Sequence, residues 1–214
     1  MKLARIAVIA ALSTLAAMSF AQGRMMMGMG GGGGKAMLLN REDVQRDLAL
    51  TSTQKDKLEG AREEMMEKMR EAFTAARESG GDMSAVRPQM EKMMKESEKT
   101  LLAILTPEQA KRLKEISIWI NGNRSLLDEE IQKDLKMTDD QKSKAKNLQT
   151  KQGEAMQSLF EKMRNQEIDR EEMQAAMKKN NDILDAELGK LLTADQAAQL
   201  KSMKGKEFKA DDQN

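Results

Sequence analysis

The stretch VQRDLALTSTQ at residues 44–54 recurs as IQKDLKMTDDQ at residues 131–141, an offset of 87 positions. At the same offset, and without a gap, 22 of the 77 positions from Glu42 to Ile118 are identical to their counterparts. Compositional chance would give roughly a third of that number, so the chain has the signature of an internal repeat. The sequence therefore predicts two tandem copies of one structural unit.

Apolar residues recur at helical spacing in both copies, which predicts an all-α fold. We expect each copy to be a long antiparallel helical hairpin with short flanking helices. In the first copy the long helices are predicted at 52–78 and 84–105, separated by a break at Ser79–Gly81. The predicted apolar stripes are Leu58, Ala61, Met65, Met69, Phe73 and Ala76, then Val86, Met90, Met93, Ser97, Leu101 and Ile104, and in the second copy Leu148, Ala155, Leu159, Phe160 and Met163, then Met173, Met177, Ile183, Leu184, Leu188 and Leu191.

Pro88 leaves two starting points open for the second long helix of the first copy. A start near Asp82, which matches the capping residue Asp169 of the second copy, would put Pro88 inside the helix and kink it. A start near Arg87 would avoid the conflict.

The first 21 residues have the pattern of a signal peptide. Lys2 and Arg5 precede an apolar run from Ile6 to Met18, and small residues then predict cleavage after Ala21. The run is shorter than the about 20 apolar residues of a membrane-spanning helix, and no Cys follows it to carry a lipid anchor. We therefore expect a periplasmic or secreted protein without a membrane span.

The remaining chain divides by composition. A Gly/Met-rich head at 22–37 contains a run of glycines and is predicted to be disordered. The first helical repeat is predicted at 38–120, a linker at 121–127, the second helical repeat at 128–205 and a disordered tail at 206–214.

The composition makes several functions improbable. Without Lys2 and Arg5, the 36 basic residues become 34 against 35 acidic ones, a net charge of −1, so no basic excess favours nucleic acid. The chain has no His, Cys or Tyr, which removes most acid–base catalysts and the ligands that zinc prefers. We expect no catalytic residue, no cofactor and no enzymatic activity, because the abundant carboxylates lie among Lys and Arg on solvated helical faces.

One short pattern occurs four times: an apolar residue, then Thr, with Gln three positions after the Thr. Threonine at a helix N-cap accepts a hydrogen bond from the third helical amide, and glutamine there can reach back to the cap. The pattern therefore predicts four helix starts. Its residues are Leu50, Thr51 and Gln54; Leu105, Thr106 and Gln109; Met137, Thr138 and Gln141; and Leu192, Thr193 and Gln196.

These four elements resemble the LTxxQ motif of the Spy/CpxP family of small periplasmic helical proteins. The leader, two motifs per unit and a Met-rich, Cys-free body agree with it, over residues 42 to about 205. Met137 in place of Leu and the tandem units depart from the family pattern. The resemblance implies an ATP-independent chaperone or envelope-stress accessory that binds unfolded or partly folded proteins. It further implies a homodimer or, with two units in one chain, an intramolecular pseudo-dimer.

Methionines are the candidate client-binding residues. A flexible, polarizable thioether suits a surface that adapts to many partners, although the same residues could simply fill an aromatic-poor core. Met66 and Met94 lie off the predicted stripes and are the better candidates for exposure. The full candidate set is Met65, Met66, Met69, Met90, Met93 and Met94.

The sequence is compatible with two alternative functions. The soft thioethers of Met25, Met26, Met27 and Met29 could bind Cu(I), which would make the chain a copper-binding or metal-resistance protein. Without any binding activity, the chain would be an inert helical spacer.

An apolar cluster precedes the turn at Asn121–Asn123 between the copies. Its expected role is to dock one copy on the other, and the alternative is that Trp119 forms a platform for a ligand. The cluster consists of Ile116, Ile118, Trp119 and Ile120.

Overall fold

The computed structural model describes residues 34–78 and 83–211 of the chain. Within these ranges the protein consists of α-helices, two 3-10 helices and connecting turns, with no strand. The all-α class predicted from the sequence is confirmed. In the same part of the chain, no helix combines the length and apolar character needed to cross a membrane.

The helices form two series whose members begin 87 residues apart. The first series is the 3-10 helix Lys35–Asn40, α1 (Glu42–Asp47), α2 (Ser52–Glu78), α3 (Met83–Leu102) and α4 (Pro107–Asn121). The second series is the 3-10 helix Gly122–Leu127, α5 (Glu129–Asp134), α6 (Asp139–Arg164), α7 (Arg170–Gly189) and α8 (Ala194–Met203). Each element of the second series starts at the position of its counterpart plus 87.

The turn that leads into each long helix has the same backbone geometry in both series. The amide of Leu50 donates to the carbonyl of Gln45 at 3.1 Å, and the equivalent bond recurs 87 residues later. Ala49 and Lys136 adopt left-handed φ angles of 48° and 50° to close these turns. That conformation costs a non-glycine residue roughly 1–2 kcal/mol, so the surrounding contacts must enforce it.

The long helices pack in pairs, α2 with α3 and α6 with α7. In the first pair, the side chain of Gln54 near the start of α2 reaches the carbonyl of Ile104, just beyond the end of α3. At the other end, Ala72 of α2 packs against Met93 of α3. The two helices are therefore antiparallel.

By packing, residues 34–125 and 194–211 form one compact unit, which we call the first unit. Its core lies where the short elements and the base of the α2–α3 hairpin meet. The buried members are Ala36, Leu38, Leu39, Val44, Leu48, Leu50, Leu58, Leu101, Leu113, Ile116 and Phe208.

Three predicted segment boundaries differ from the structure. Residues Lys35–Asn40 form a 3-10 helix with buried apolar side chains, so the predicted disordered head does not extend through residue 37. The predicted linker at 121–127 is mostly the 3-10 helix Gly122–Leu127. The predicted disordered tail is held in place as far as Asp211, because Phe208 is buried in the core.

Residues 126–193 form the second compact unit. Helix α8 and the segment after it pack in the first unit, although the sequence repeat would assign them to the second copy. The buried apolar residues of the second unit are Leu126, Ile131, Leu135, Met137, Ala145, Met156, Met173, Leu184 and Leu188.

Among the predicted stripe residues whose burial the structure describes, two are exposed. Ala72 is buried instead of Phe73, and Leu184 is buried whereas Ile183 is 50% exposed. A helix that alternates steps of three and four residues can bury either of two adjacent positions, and the packing of the partner helix decides between them. Pro88 lies inside α3, since the helix begins at Met83, and the earlier of the two predicted starts is the observed one.

A buried carboxylate near the N-terminal end of the first unit joins two segments that are distant in the chain. Asp43 accepts hydrogen bonds from Arg41 Nε at 2.9 Å, from the amide of Val44 at 2.8 Å and from the amide of Asp211 at 3.1 Å. The hydrogen bonds from the Arg41 guanidinium, followed by those from the two amides, lower the pKa of Asp43 to about 2 despite its burial. The ionised carboxylate therefore stabilises the folded state.

We predict that Asp43→Asn lowers the free energy of unfolding by about 2 kcal/mol near neutral pH. A lowered folded-state pKa adds stability above the ordinary aspartate pKa, and this contribution is lost as the pH falls through about 2. The difference between the wild type and the variant should therefore shrink below about pH 4.

Urea unfolding at several pH values measures this difference. Asp56→Asn, at an exposed position of α2, is the matched control and should change stability by less than about 0.5 kcal/mol. A loss of stability in Asp43→Asn that stays constant down to pH 2 would contradict the assignment.

Candidate functional site

The four Thr-x-x-Gln patterns all lie at helix starts. Helices α2, α4, α6 and α8 begin directly after Thr51, Thr106, Thr138 and Thr193. At Thr106 and Thr138 the hydroxyl accepts a hydrogen bond from the backbone amide of the glutamine three positions later. The side chain of that glutamine accepts a hydrogen bond from the backbone amide of the threonine. The same reciprocal bonds join Thr51 and Gln54, at 3.2 and 3.1 Å. These three patterns are capping boxes.

The glutamines of the first unit also form hydrogen bonds to other segments, which capping does not require. Gln54 Nε2 donates to the carbonyl of Ile104 at 3.0 Å and to Gln109 Oε1 at 2.7 Å. Gln109 Nε2 donates to the carbonyl of Leu48 at 3.1 Å and to Gln54 Oε1 at 3.2 Å. The two side chains thus tie the turn before α2 to the turn after α3 and close the base of the hairpin. We call this pair the glutamine clamp.

Part of this arrangement recurs in the second unit. Gln141 Nε2 donates to the carbonyl of Leu191 at 2.6 Å, which is the Gln54–Ile104 bond displaced by 87 residues in both partners. Sequence reasoning missed the clamp because its two glutamines are 55 positions apart and each is already explained by its own helix cap. The available signal was that glutamine recurs in all four patterns, although other residues can also occupy the third helical position of a cap.

The clamp generates a stability prediction. Gln54→Ala removes two donated hydrogen bonds, the bond accepted from Gln109 and the capping bond, and leaves the Ile104 carbonyl with one partner fewer. We expect the free energy of unfolding to fall by about 1–3 kcal/mol. Gln149→Ala, at an exposed position of α6, is the matched control and should be nearly neutral.

A double-mutant cycle with Gln109→Ala tests whether the two glutamines act together. Because they bond to each other, their combined loss should be smaller than the sum of the single losses. Additive losses, measured by urea unfolding, would show that each glutamine acts only as a cap.

The methionine candidates divide into two groups. Met65, Met69, Met90 and Met93 are half-buried along the packing side of α2 and α3. Met66 is 55% exposed and Met94 is 43% exposed, as their positions off the stripes predicted. Phe73, which was predicted to be in the core, is 40% exposed.

The three exposed side chains lie on one side of the α2–α3 hairpin. Met66, Phe73 and Met94 each directly follow a residue that faces the partner helix: Met65, Ala72 and Met93, respectively. One position along an α-helix is a rotation of about 100° around the helix axis. Because α2 and α3 are antiparallel, a rotation of about 100° away from their interface points the side chains of both helices to the same side of the hairpin. Met66 and Phe73 are seven residues apart, about 10 Å along α2. We call these three side chains the apolar face.

Charged side chains border the apolar face. Arg70 lies four residues after Met66, on the same side of α2, and pairs with Glu67 at 2.9 Å. Lys68 pairs with Glu64 at 2.6 Å, and its ammonium lowers the pKa of that carboxyl, but both side chains lie on the opposite side of α2. These ion pairs are exposed and contribute little to stability, so they remain free to exchange partners. The face therefore combines large apolar contacts with adaptable charges.

The second unit does not repeat the apolar face. The positions 87 residues after Met66, Phe73 and Met94 are Gly153, Phe160 and Asn181. Phe160 is half-buried, and Asn181 accepts a hydrogen bond from Gln152 at 3.2 Å. Ile183 is exposed elsewhere on α7, beside Lys179 and Asp182. The hairpin of the first unit is thus the stronger candidate for binding.

The proposed copper ligands Met25, Met26, Met27 and Met29 lie outside the described residues. Within residues 34–78 and 83–211, no three or more carboxylate side chains are grouped so that they could hold a metal ion. Trp119, expected to dock the two copies, donates from Nε1 to the carbonyl of Lys204 at 2.8 Å within the first unit.

The chain was compared with protein-family models, with curated proteins and with solved structures, and none of the three comparisons found a match.

Proposed function

We propose that this protein binds unfolded or partly folded polypeptides outside the cytoplasm, as a chaperone or envelope-stress accessory similar to the Spy/CpxP family. The observation that carries the proposal is the apolar face, where Met66, Phe73 and Met94 are all exposed on one side of a thin hairpin. The signal-peptide pattern and the four LTxxQ-like elements support the proposal from the sequence.

The chemistry of the face suits clients without a fixed shape. Methionine side chains have three rotatable bonds and can repack against different apolar groups, and Phe73 adds a large apolar surface. The neighbouring Arg70 can pair with acidic residues of a client in place of Glu67. The shallow surface predicts weak and broad binding, which is what an ATP-independent chaperone needs in order to release its client.

The test measures how much protein is required to suppress aggregation of an unfolding client, followed by light scattering. Replacing Met66, Phe73 and Met94 together by Gln should weaken client binding by roughly tenfold, because most of the exposed apolar contact is lost. Stability should change little, since exposed positions tolerate substitution.

A matched pair of single variants provides the control. Phe73→Gln and Ile183→Gln each remove one large apolar side chain of similar exposure, but only Phe73 lies on the apolar face. Phe73→Gln should reduce suppression, whereas Ile183→Gln should leave it unchanged. Full activity in the triple variant, or equal losses in both single variants, would rule out the face as the client-binding surface.

A further inference from the structure

The C-terminal segment Lys204–Asp211, which we call the strap, is held on the first unit mainly by its backbone. Trp119 Nε1 donates to the carbonyl of Lys204 at 2.8 Å. Arg112 donates from Nη1 to the carbonyl of Lys206 at 2.7 Å and from Nη2 to that of Glu207 at 3.4 Å. From Gly205 onward the strap has no helix or strand of its own.

Two side chains of the strap complete the contact. Phe208 is buried in the core of the first unit. Three residues later, Asp211 pairs with Arg46 at 2.6 Å, and its amide donates to the Asp43 carboxylate. Backbone contacts combined with one apolar anchor form a mode in which proteins bind extended peptides of varied sequence.

Arg112 is held in position independently of the strap. Its Nε donates to Asp47 Oδ1 at 2.6 Å, and Nη1 also donates to Glu115 Oε2 at 2.9 Å. The two carboxylates orient the guanidinium so that one further N–H on each terminal nitrogen points at the strap. Without the strap, the same donors would be ready to receive two successive carbonyls of another chain.

This site has no counterpart in the repeat. The positions 87 residues after Arg112 and Trp119 are Gln199 and Lys206, which cannot provide the guanidinium fork or the indole N–H. Arg112 and Trp119 are therefore particular to the first copy.

We propose that the strap is an intramolecular ligand of a peptide-binding groove, and that an extended segment of a client polypeptide replaces it. The groove would select a large apolar residue followed three positions later by an acidic one, as in Phe208 and Asp211. This inference rests on the proposed polypeptide binding and adds a second site that the strap keeps closed until a client competes for it.

Gly205 provides a way to loosen the strap by a substitution in the strap itself. It has a φ of +57°, and a Cβ there would lie 2.4 Å from a carboxylate oxygen of Glu115. Gly205→Ala should therefore strain the exit from α8. Gly60→Ala is the matched control, because a Cβ at that exposed position of α2 meets no atom within 4 Å.

The experiment adds a fluorescent peptide with the sequence KGKEFKADDQN, residues 204–214, to each full-length variant. Anisotropy reports binding, and the emission of Trp119, the single tryptophan of the chain, reports its environment. Gly205→Ala should bind the peptide roughly tenfold more tightly than Gly60→Ala or the wild type. A peptide with Ala in place of Phe208 should bind much more weakly, and a reduced, carboxymethylated protein that cannot refold should displace the intact peptide.

Three results would overturn the proposal. The first is a Gly205→Ala variant that is folded by circular dichroism but binds the peptide no more tightly than Gly60→Ala. The second is failure of the unfolded protein to displace the bound peptide. The third is a dimer in which strap exchange accounts for the binding, since the occupant would then be a second copy. If Gly205→Ala does not fold, Phe208→Ala in the full chain replaces it under the same criteria.

The triple Gln variant of the apolar face separates this inference from the proposed function. It retains every groove residue, so it should bind the peptide as the wild type does even where aggregation suppression is lost. Loss of peptide binding in that variant would contradict a separate groove.

Discussion

The glutamine clamp is the contact on which the first unit depends. Gln54 and Gln109 start their own helices, bond to each other and hold the carbonyls of Ile104 and Leu48. A hairpin of two polar helices with few aromatic residues buries little apolar surface along its length, so its geometry must be set at one end. The clamp sets it at the base, where Leu58, Leu101 and the short elements form the core.

This arrangement leaves the outer part of the hairpin free for another purpose. Beyond the base, the described packing rests on small or flexible side chains such as Ala72 and Met93. Large apolar groups there are not needed to hold the helices together, and Met66, Phe73 and Met94 are exposed. The hairpin has few large apolar residues in its core, and most of these lie at the base. The base is therefore well packed, and the apolar side chains of the outer part remain accessible. The strap adds to the order of the base, since Phe208 contributes to its core and Arg112 and Asp43 bind its backbone.

The sequence predicted what depends on neighbouring residues and missed what depends on distant ones. The Thr-x-x-Gln patterns predicted the helix starts, and the range 52–78 agrees with α2, because caps and periodicity act within a few positions. The pairing of Gln54 with Gln109 joins residues far apart in the chain, and the choice between Ala72 and Phe73 depends on how α3 packs. Residues 206–214 were predicted to be a disordered tail, although Phe208, a large apolar residue in this polar segment, was a signal of a docked segment. Exposure of Met66 and Met94 followed from helical phase alone.

The central claim is that a polypeptide contacts the apolar face of the first unit and leaves the buried methionines of the second unit unaffected. Methyl NMR spectra of protein labelled at the methionine Cε test it directly, because each methionine reports its own surroundings. On addition of an unfolded polypeptide, the account predicts shifted or broadened signals for Met66 and Met94 and unchanged signals for the buried Met137, Met156 and Met173. Unchanged Met66 and Met94 signals in the presence of a bound client, or equal changes at the buried methionines, would contradict it.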